Sequence, residues 1–569
     1  MNIRKYLNVA GWLDNKYMVA LLIVAALLML FRVSSVDLIG DDAVYSMRSI
    51  GLLDYMFADQ QPTPLQFFED VPSWALLSFH DHPPLVFILQ KIFLSIHESA
   101  FFAKLPMVFM GLLSLIFLYG WVRDLLKEHD HNIAIATISS LLLFLCTPFV
   151  RSARVTYLEM GVIFFTILTL FFYTRFIEGK GKGYGLGISL GLLLLTKYTA
   201  FFMIPALLTH LAYKHRSLFK DKRLHIAAVC TFVCTLPVII FNLGLYKTQG
   251  HFDVQFARLF HQTSPWNLGG SSLDVFANIG RLFTRLGEQF SYIYLVVFLI
   301  SIVLLFFQKK WKVSLVWVAI MWMTIQFILG GPIDRFLPIY APLIAVSVAL
   351  GLWFVFERCG KKMICKIGFG VFSLYLGVFL FSSIVIAQSL GPVGVMHSSF
   401  ETKNYGIAQL DEKFDSFLSS QENTVQIDLF SDLKRRSSRL LPYAATTDVW
   451  QSGTPLSYMI LVDGDINWFV GIWLIERRRF YHNVPIFTTD ELPFLQQQGI
   501  PIPETTLFVR GTDATVLDEV QFRTGAASDI EARLKELNQP VEDIVRLDGE
   551  VAFRVYEVSS DVWLKVFTK

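Results

Sequence analysis

Residues 17–31 read YMVALLIVAALLMLF, and residues 40–45, shortly beyond them, read GDDAVY. The first stretch is apolar throughout and follows a basic N-terminal segment. No small-x-small cleavage site follows it, so we expect an uncleaved first span with its basic end in the cytoplasm. Adjacent carboxylates at Asp41 and Asp42, where the chain leaves the bilayer, are costly unless they are solvated, paired or used.

The composition extends this interpretation to the whole chain. Of 569 residues, 54% are hydrophobic and only 17% are charged, and the mean hydropathy is +0.50. Soluble domains carry roughly 25% charged residues, so the chain is predicted to be a polytopic membrane protein, with membrane lipids and no nucleic acid among its partners. The five cysteines lie in apolar runs or beside a basic loop, and we expect neither a disulfide nor a thiolate metal site.

Ten further apolar runs predict membrane spans near 105–122, 132–150, 157–176, 184–196, 198–213, 224–243, 291–307, 312–330, 335–356 and 363–390. The run 83–96 is too short to cross the bilayer. Basic loops at 123–131, 177–183, 214–223, 308–312 and 357–362 fit the cytoplasmic side. The predicted fold is a polytopic α-helical membrane protein with about 11 transmembrane helices, a cytoplasmic N-terminus and an outer C-terminus.

On this topology the outer face receives the loop 32–82, with helices on the membrane surface at Tyr55–Leu77, and the loop 244–290. It also receives residues 391–569, which follow the membrane domain of residues 1–390. This tail has strand-like runs at Val425–Phe430, Tyr458–Asp463, Thr506–Val509 and Ala552–Val558, and helical patterns near 404–419 and 526–538. We therefore predict a small extramembrane α/β domain.

Three acids stand at outer helix ends. Asp41 and Asp42 could bind backbone amides, or one could take a proton from an acceptor while the other positions it. Glu159 opens a span, and an acid so close to hydrocarbon faces protein or water. The alternative for Glu159 is a helix-end salt bridge to Arg151 or Arg154.

Cations and imidazoles are predicted on the same face. Lys197, Arg335, and Arg258 with His261 would suit a phosphate, although a lysine at this depth could simply extend to the interface. The segment His80-Asp81-His82 precedes Pro83-Pro84, which favours an extended chain there. Positioning of a loop is the favoured role, and a metal site is the weaker alternative.

These residues resemble the motifs of the GT-C superfamily of membrane glycosyltransferases, in particular the branch of the protein O-mannosyltransferases and the lipid A aminoarabinose transferases. The resemblance covers roughly residues 15 to 350 and depends on six pieces in order. They are Asp41-Asp42 with Tyr45, His82-Pro83-Pro84-Leu85, Lys104-Leu105-Pro106, Arg154 with Tyr157-Leu158-Glu159-Met160, Gly191-Leu192 with Leu195-Thr196-Lys197, and Arg335-Phe336-Leu337-Pro338 with Pro342. The family often has Asp-Glu at 41–42, a basic residue at 44 and Asp at 159, so the acceptor pocket of this chain differs.

The resemblance implies transfer of a sugar from a polyprenyl- or dolichyl-phosphate donor to a lipid, glycan or protein acceptor, outside the membrane and with inversion. The lack of cysteines in the long polar regions fits a bacterial inner membrane as the location. The resemblance also implies Asp41 as the base or as the acid that orients the acceptor, with Asp42 and Glu159 in support, and Lys197, Arg335 and Arg258 on the donor phosphate. Pocket residues would be Tyr45, His80, His82, Tyr157 and His261. A divalent cation, if the site uses one, would bind Asp42, Glu159 and His82.

A transporter or lipid flippase is the rival from another functional class. Acids and cations inside a membrane protein can mark a translocation path. The sequence shows no inverted repeat, and its acids lie at one face of the membrane rather than at the midplane. These features favour the transferase.

Overall fold

A computed structural model describes residues 11, 13–51, 82–253, 256–257, 260, 262, 274–307, 314–358, 363–386, 404–421, 427–428, 448–449, 456–466, 471–497, 500–512 and 525–567. Helices in the membrane part are α1 (Lys16–Leu30), α2 (Asp41–Gly51), α3 (Leu85–Leu94), α4 (Ala100–Leu125), α5 (Asn132–Phe144), α6 (Thr147–Arg154), α7 (Glu159–Ile177), α8 (Tyr184–Leu194), α9 (Met203–Lys214), α10 (Lys222–Gln249), α11 (Val275–Phe290), α12 (Tyr292–Phe307), α13 (Ser314–Gly330), α14 (Ala341–Arg358) and α15 (Met363–Phe381).

The apolar helices confirm the predicted membrane-protein fold. Within the described ranges, six helices are long and apolar enough to cross a membrane, or up to eight if each bent pair counts as one span. Three shorter apolar helices, α3, α8 and α13, accompany them. The count of about 11 spans therefore stays a prediction. Helix α3 has ten residues and is about 15 Å long, too short to span, as expected for the run 83–96.

Two helix pairs bend sharply. Helices α5 and α6 meet at 63°, and α11 and α12 meet at 116°. Helix α11 occupies the end of the segment predicted as the loop 244–290, so this segment contains a helix that the sequence analysis did not predict. One face of α11 buries Leu282, Leu286 and Phe290, while Phe276 is exposed, which is the pattern of a helix lying along an interface. The predicted surface helices at Tyr55–Leu77 lie outside the described residues.

Glycines bring α8 and α10 close together. A Cβ atom at Gly187 would lie 2.3 Å from the Ala227 carbonyl oxygen, and one at Gly191 would lie 2.4 Å from the Cβ of Cys234. Small residues four apart let membrane helices approach backbone to backbone. Cys234 is a free thiol packed in this contact, in keeping with a packing role.

The C-terminal part forms the predicted α/β domain. Its elements are α16 (Ile407–Ser420), β1 (Ile427–Asp428), β2 (Asp448–Val449), β3 (Tyr458–Val462), α17 (Arg477–His482), β4 (Ile486–Thr488), α18 (Leu492–Gln497), β5 (Thr505–Gly511), α19 (Ala526–Glu536), β6 (Glu542–Val545), β7 (Val551–Ser559) and α20 (Ser560–Phe567). The main sheet has the order β4-β3-β5-β7-β6, with β3 parallel to β4 and β5 and the other pairs antiparallel.

This domain shares a hydrophobic core with the start of the chain. Leu38, Ile39 and Ala43 are buried in one cluster with residues of the tail such as Leu410 and Trp473. The boundary predicted at 390/391 lies outside the described residues. The extramembrane domain therefore packs directly against the segment that carries the acidic pair.

Candidate active site

Asp41 is the first residue of helix α2, and its side chain is partly exposed. Gly40 precedes it with a φ of 54°, a left-handed conformation that favours glycine. The Asp41 carboxylate forms an ion pair with the Arg335 guanidinium, and the Tyr45 hydroxyl one turn later lies 3.4 Å from the same oxygen. The side chains of Asp41 and Arg335 are 30% and 36% exposed, so a ligand can reach both.

Asp42 points in another direction, because successive side chains of a helix diverge by about 100°. It is buried, and its Oδ1 accepts hydrogen bonds from the Thr156 backbone N–H at 3.0 Å and from the Thr156 hydroxyl at 3.2 Å. The hydroxyl also lies 3.0 Å from the Asp42 carbonyl oxygen. Asp42 thus joins α2 to the turn that precedes Glu159.

Glu159 and Lys197 form a buried ion pair. Glu159 Oε1 lies 2.5 Å from Lys197 Nζ, and both side chains are almost fully excluded from solvent. Lys197 Nζ lies 3.9 Å from the centroid of the Phe336 ring, and Arg335 Cζ lies 5.0 Å from the same centroid. The ring joins two acid–cation pairs, Asp41–Arg335 and Glu159–Lys197, into one site.

Of the other predicted site residues, two lie in this site and three fall outside the residues that the structure describes. His82 Nε2 lies 2.9 Å from the Tyr45 hydroxyl, which places His82 beside Asp41. Tyr157 is buried in the turn between Thr156 and Glu159. The remaining three, His80, Arg258 and His261, lie outside the described residues.

The three candidate metal ligands do not form a ligand set in this structure. Asp42 binds Thr156, Glu159 binds Lys197 and His82 binds Tyr45. In the part of the chain that the structure describes, no three His, Cys, Asp or Glu side chains come together as metal ligands. We therefore derive no step through a divalent cation.

The predicted alternative for Glu159, a salt bridge to a neighbouring arginine, is not what the structure shows. Arg154 instead donates to the carbonyl oxygens of Leu28 and Met29, at 2.7 and 3.2 Å, and so satisfies the C-terminal end of α1. Arg151 donates to Gln289 Oε1 at 3.0 Å. Both arginines hold neighbouring elements in place around the site.

Sequence reasoning missed the residues that fix the turn Asp334–Tyr340, which carries Arg335. Gln289 Nε2 donates to the Asp334 carbonyl at 2.7 Å, and Arg285 pairs with the Asp334 carboxylate at 3.1 Å. Neither Gln289 nor Arg285 belongs to a recognisable motif. The only available signal was the amphipathic pattern of α11, which both residues share.

The loop after α10 is anchored on the turn that carries Lys197. The fully buried Asp253 carboxylate accepts a hydrogen bond from the Tyr198 hydroxyl at 2.5 Å and one from Asn242 Nδ2 at 3.0 Å. Asn242 Oδ1 in turn accepts from the Asp253 backbone N–H at 3.0 Å. The residue next to Lys197 is thereby tied to the loop that leads to residue 258.

Part of the chain matches a known protein family. Residues 81–241 match the family model described as dolichyl-phosphate-mannose-protein mannosyltransferase. The matched segment includes His82, Glu159 and Lys197. The predicted resemblance to the GT-C glycosyltransferases is confirmed. No curated protein matches the chain by sequence at a significant level.

Solved structures of GT-C glycosyltransferases are similar to the chain at low identity. ArnT from Cupriavidus metallidurans, with undecaprenyl phosphate bound, is 14% identical, with a TM-score of 0.48, and the alignment covers 96% of this chain and 98% of that one. The Archaeoglobus fulgidus oligosaccharyltransferase tethered to an acceptor peptide is 13% identical, with a TM-score of 0.48, over 97% of this chain and 77% of that one. The S. cerevisiae protein O-mannosyltransferase Pmt1-Pmt2 complex with its sugar donor is 14% identical, with a TM-score of 0.30, over 41% and 33%.

Proposed function

We propose that the chain is an integral membrane glycosyltransferase that moves a sugar from a polyprenyl-phosphate donor to an acceptor hydroxyl or amine on the outer face of the membrane. The observation that carries the proposal is the accessible Asp41 carboxylate paired with Arg335, with the Glu159–Lys197 pair across the Phe336 ring. The matched family, whose description names a lipid-phosphate sugar, supports this class of donor.

In this mechanism the acceptor attacks the anomeric carbon of the donor in a single displacement, which inverts the configuration there. The new bond joins the acceptor oxygen or nitrogen to the anomeric carbon, and the bond from that carbon to the phosphate oxygen breaks. The leaving phosphate keeps the electron pair, and the proton of the acceptor passes to Asp41. General-base catalysis of this kind contributes about 10²- to 10⁴-fold in rate.

Arg335 and Lys197 would hold the leaving phosphate in this mechanism, with Arg258 as a further cation. Positive groups that face a developing negative charge stabilise the transition state where water is excluded. Phe336 keeps the two cations on one ring, and Tyr45 with His82 lines the side of Asp41. Asp42 and Glu159 support the site by holding Thr156 and Lys197.

The proposed setting is the bacterial inner membrane, with the N-terminus in the cytoplasm and the extramembrane domain in the periplasm. The loops predicted to be cytoplasmic carry the lysines and arginines that the positive-inside rule requires. The acceptor is a lipid, a glycan or a protein that reaches this outer face.

The test is sugar transfer by the purified protein from a panel of synthetic polyprenyl-phosphate sugars. We expect turnover, or slow hydrolysis of one donor, that Asp41→Asn abolishes while binding of the same donor persists. Asp529→Asn, on the exposed surface of the extramembrane domain, is the matched control and should behave as wild type. Binding without turnover, together with lipid movement across vesicles, would favour the flippase, and intact turnover in Asp41→Asn would show that the site is misplaced.

A further inference from the structure

The extramembrane domain contacts both ends of α2, the helix that begins with Asp41. On the N-terminal side, the Asp37 carboxylate accepts hydrogen bonds from the Tyr405 backbone N–H and, at 2.8 Å, from the Ala408 backbone N–H. Ala408 lies in the first turn of α16, where backbone N–H groups have no partner within the helix. Asp37, which lies four residues before Asp41, therefore caps α16 of the extramembrane domain.

At the other end, the Tyr481 hydroxyl donates to the carbonyl oxygen of Met47 at 3.0 Å. Met47 lies six residues after Asp41 on α2, a rise of about 9 Å. Tyr481 belongs to α17, so the second contact comes from a different element of the same domain. The two ends of α2 are thus held by residues that are far apart in the tail.

Apolar packing joins these two polar contacts. Ile39 and Ala43 are buried in one cluster with Trp473 and Ile475 of the segment that precedes α17. The opposite side of α2 faces the membrane helices, where Asp42 binds Thr156 and the Ser49 hydroxyl donates to Gln90 Oε1 at 2.6 Å. Helix α2 therefore lies between the membrane part and the extramembrane domain.

We propose that the extramembrane domain positions the Asp41 carboxylate, with Asp37 and Tyr481 as positioning residues that fix the two ends of α2. The inference rests on the proposed function, because it assigns the domain a part in transfer. An eleven-residue helix is marginal on its own, so its placement depends on the surfaces that enclose it. A shift of about 1 Å in a reacting group costs about 10²-fold in rate.

The experiment compares Tyr481→Phe with Tyr556→Phe. Both substitutions remove a hydrogen-bonded hydroxyl from the extramembrane domain, but the Tyr556 hydroxyl bonds to Glu531 Oε1 at 3.1 Å, within the domain. We expect Tyr481→Phe to lower kcat about tenfold with KM for the donor unchanged within about twofold, and Tyr556→Phe to leave both unchanged. Asp37→Asn should repeat the loss of kcat, since the two N–H groups bind different oxygens of Asp37 and an asparagine replaces one of these oxygens by an NH2 group, which cannot accept. An unchanged kcat in Tyr481→Phe would overturn the proposal.

A second readout is independent of turnover. Hydrogen exchange of the amides of residues 41–51, followed by mass spectrometry, should accelerate in Tyr481→Phe and stay at the wild-type rate in Tyr556→Phe. If the wild type transfers no sugar yet exchange accelerates, the proposed function fails and the positioning stands. If exchange is unchanged, the positioning fails whatever the activity of the wild type.

Discussion

The Asp41–Arg335 ion pair predicts that Asp41→Asn has opposite effects on donor binding and on transfer. The Arg335 guanidinium is paired with the Asp41 carboxylate. A donor phosphate that binds Arg335 has to compete with this carboxylate. A neutral amide at position 41 removes the competitor, so the variant should bind a polyprenyl phosphate more tightly while it loses the base.

The size of each effect follows from exposure and chemistry. The side chains of Asp41 and Arg335 are 30% and 36% exposed. Ion pairs this exposed are worth about 0.2–1 kcal/mol, which corresponds to a Kd for polyprenyl phosphate lower by about 1.4- to 5-fold in Asp41→Asn. Loss of a general base lowers kcat by about 10²- to 10⁴-fold. The two changes differ in sign and in scale.

The assay measures the Kd of undecaprenyl phosphate and the rate of sugar transfer with the same purified protein. The gain in affinity should shrink at high salt, since screening weakens exposed ion pairs in the wild type as well. Asp529→Asn is the control, because it removes an exposed carboxylate of the extramembrane domain and leaves the turn that carries Arg335 intact. A Kd equal to or higher than that of the wild type would refute the competition between Asp41 and the phosphate.

Three further predictions concern stability and pH. Glu159→Gln should lower the free energy of unfolding by about 3–5 kcal/mol, because it leaves the buried Lys197 without its counter-charge. The double variant Glu159→Gln with Lys197→Met should recover most of this loss, as measured by unfolding in denaturant. Burial raises the pKa of Asp37 to about 6, so the folded chain keeps this proton to a higher pH than the unfolded chain does. The stability that this group contributes should therefore fall as pH rises from about 4 through 6. This dependence of the melting temperature on pH should vanish in Asp37→Asn. Burial also raises the pKa of Glu476 to about 7 from its ordinary value of 4.5. The wild type should therefore lose stability as pH rises from about 4.5 through 7, and in thermal unfolding Glu476→Gln should match it at about pH 4 and exceed it at about pH 8.5. A variant less stable than the wild type at both values would contradict this account.

The sequence predicted which residues lie on one face more reliably than it predicted which residues pair. Glu159 and Lys197 were expected near each other as an acid and a phosphate-binding cation, and the structure joins them directly at 2.5 Å. Hydropathy and the positive-inside rule constrain which helix ends share a side of the membrane. They do not determine how helices pack, so the neighbour in sequence, Arg154, was considered as the partner although its guanidinium caps α1.

Contacts between distant segments left no local signal. The carbonyl oxygen of Ser35 accepts a hydrogen bond from Asn404, 369 positions away, at 2.8 Å. Helix α11 was missed for a different reason, since its apolar residues recur with a helical period but are too interrupted to be taken for a span. Strands β1, β3, β5 and β7 of the tail were predicted, because short β-rich runs bounded by polar turns are a local property. The short strands β2, β4 and β6 were not predicted.

The core shared by Ile39, Ala43 and Trp473 has a consequence for how the chain matures. Ribosomes add about 5–20 residues per second, so α2 is synthesised tens of seconds before the tail that covers it. During that interval the apolar side of α2 has no native partner, and contacts of such large sequence separation form slowly. Assembly of the Asp41 site is therefore a late event, and a chain stalled in membrane insertion would expose a surface that chaperones and proteases recognise.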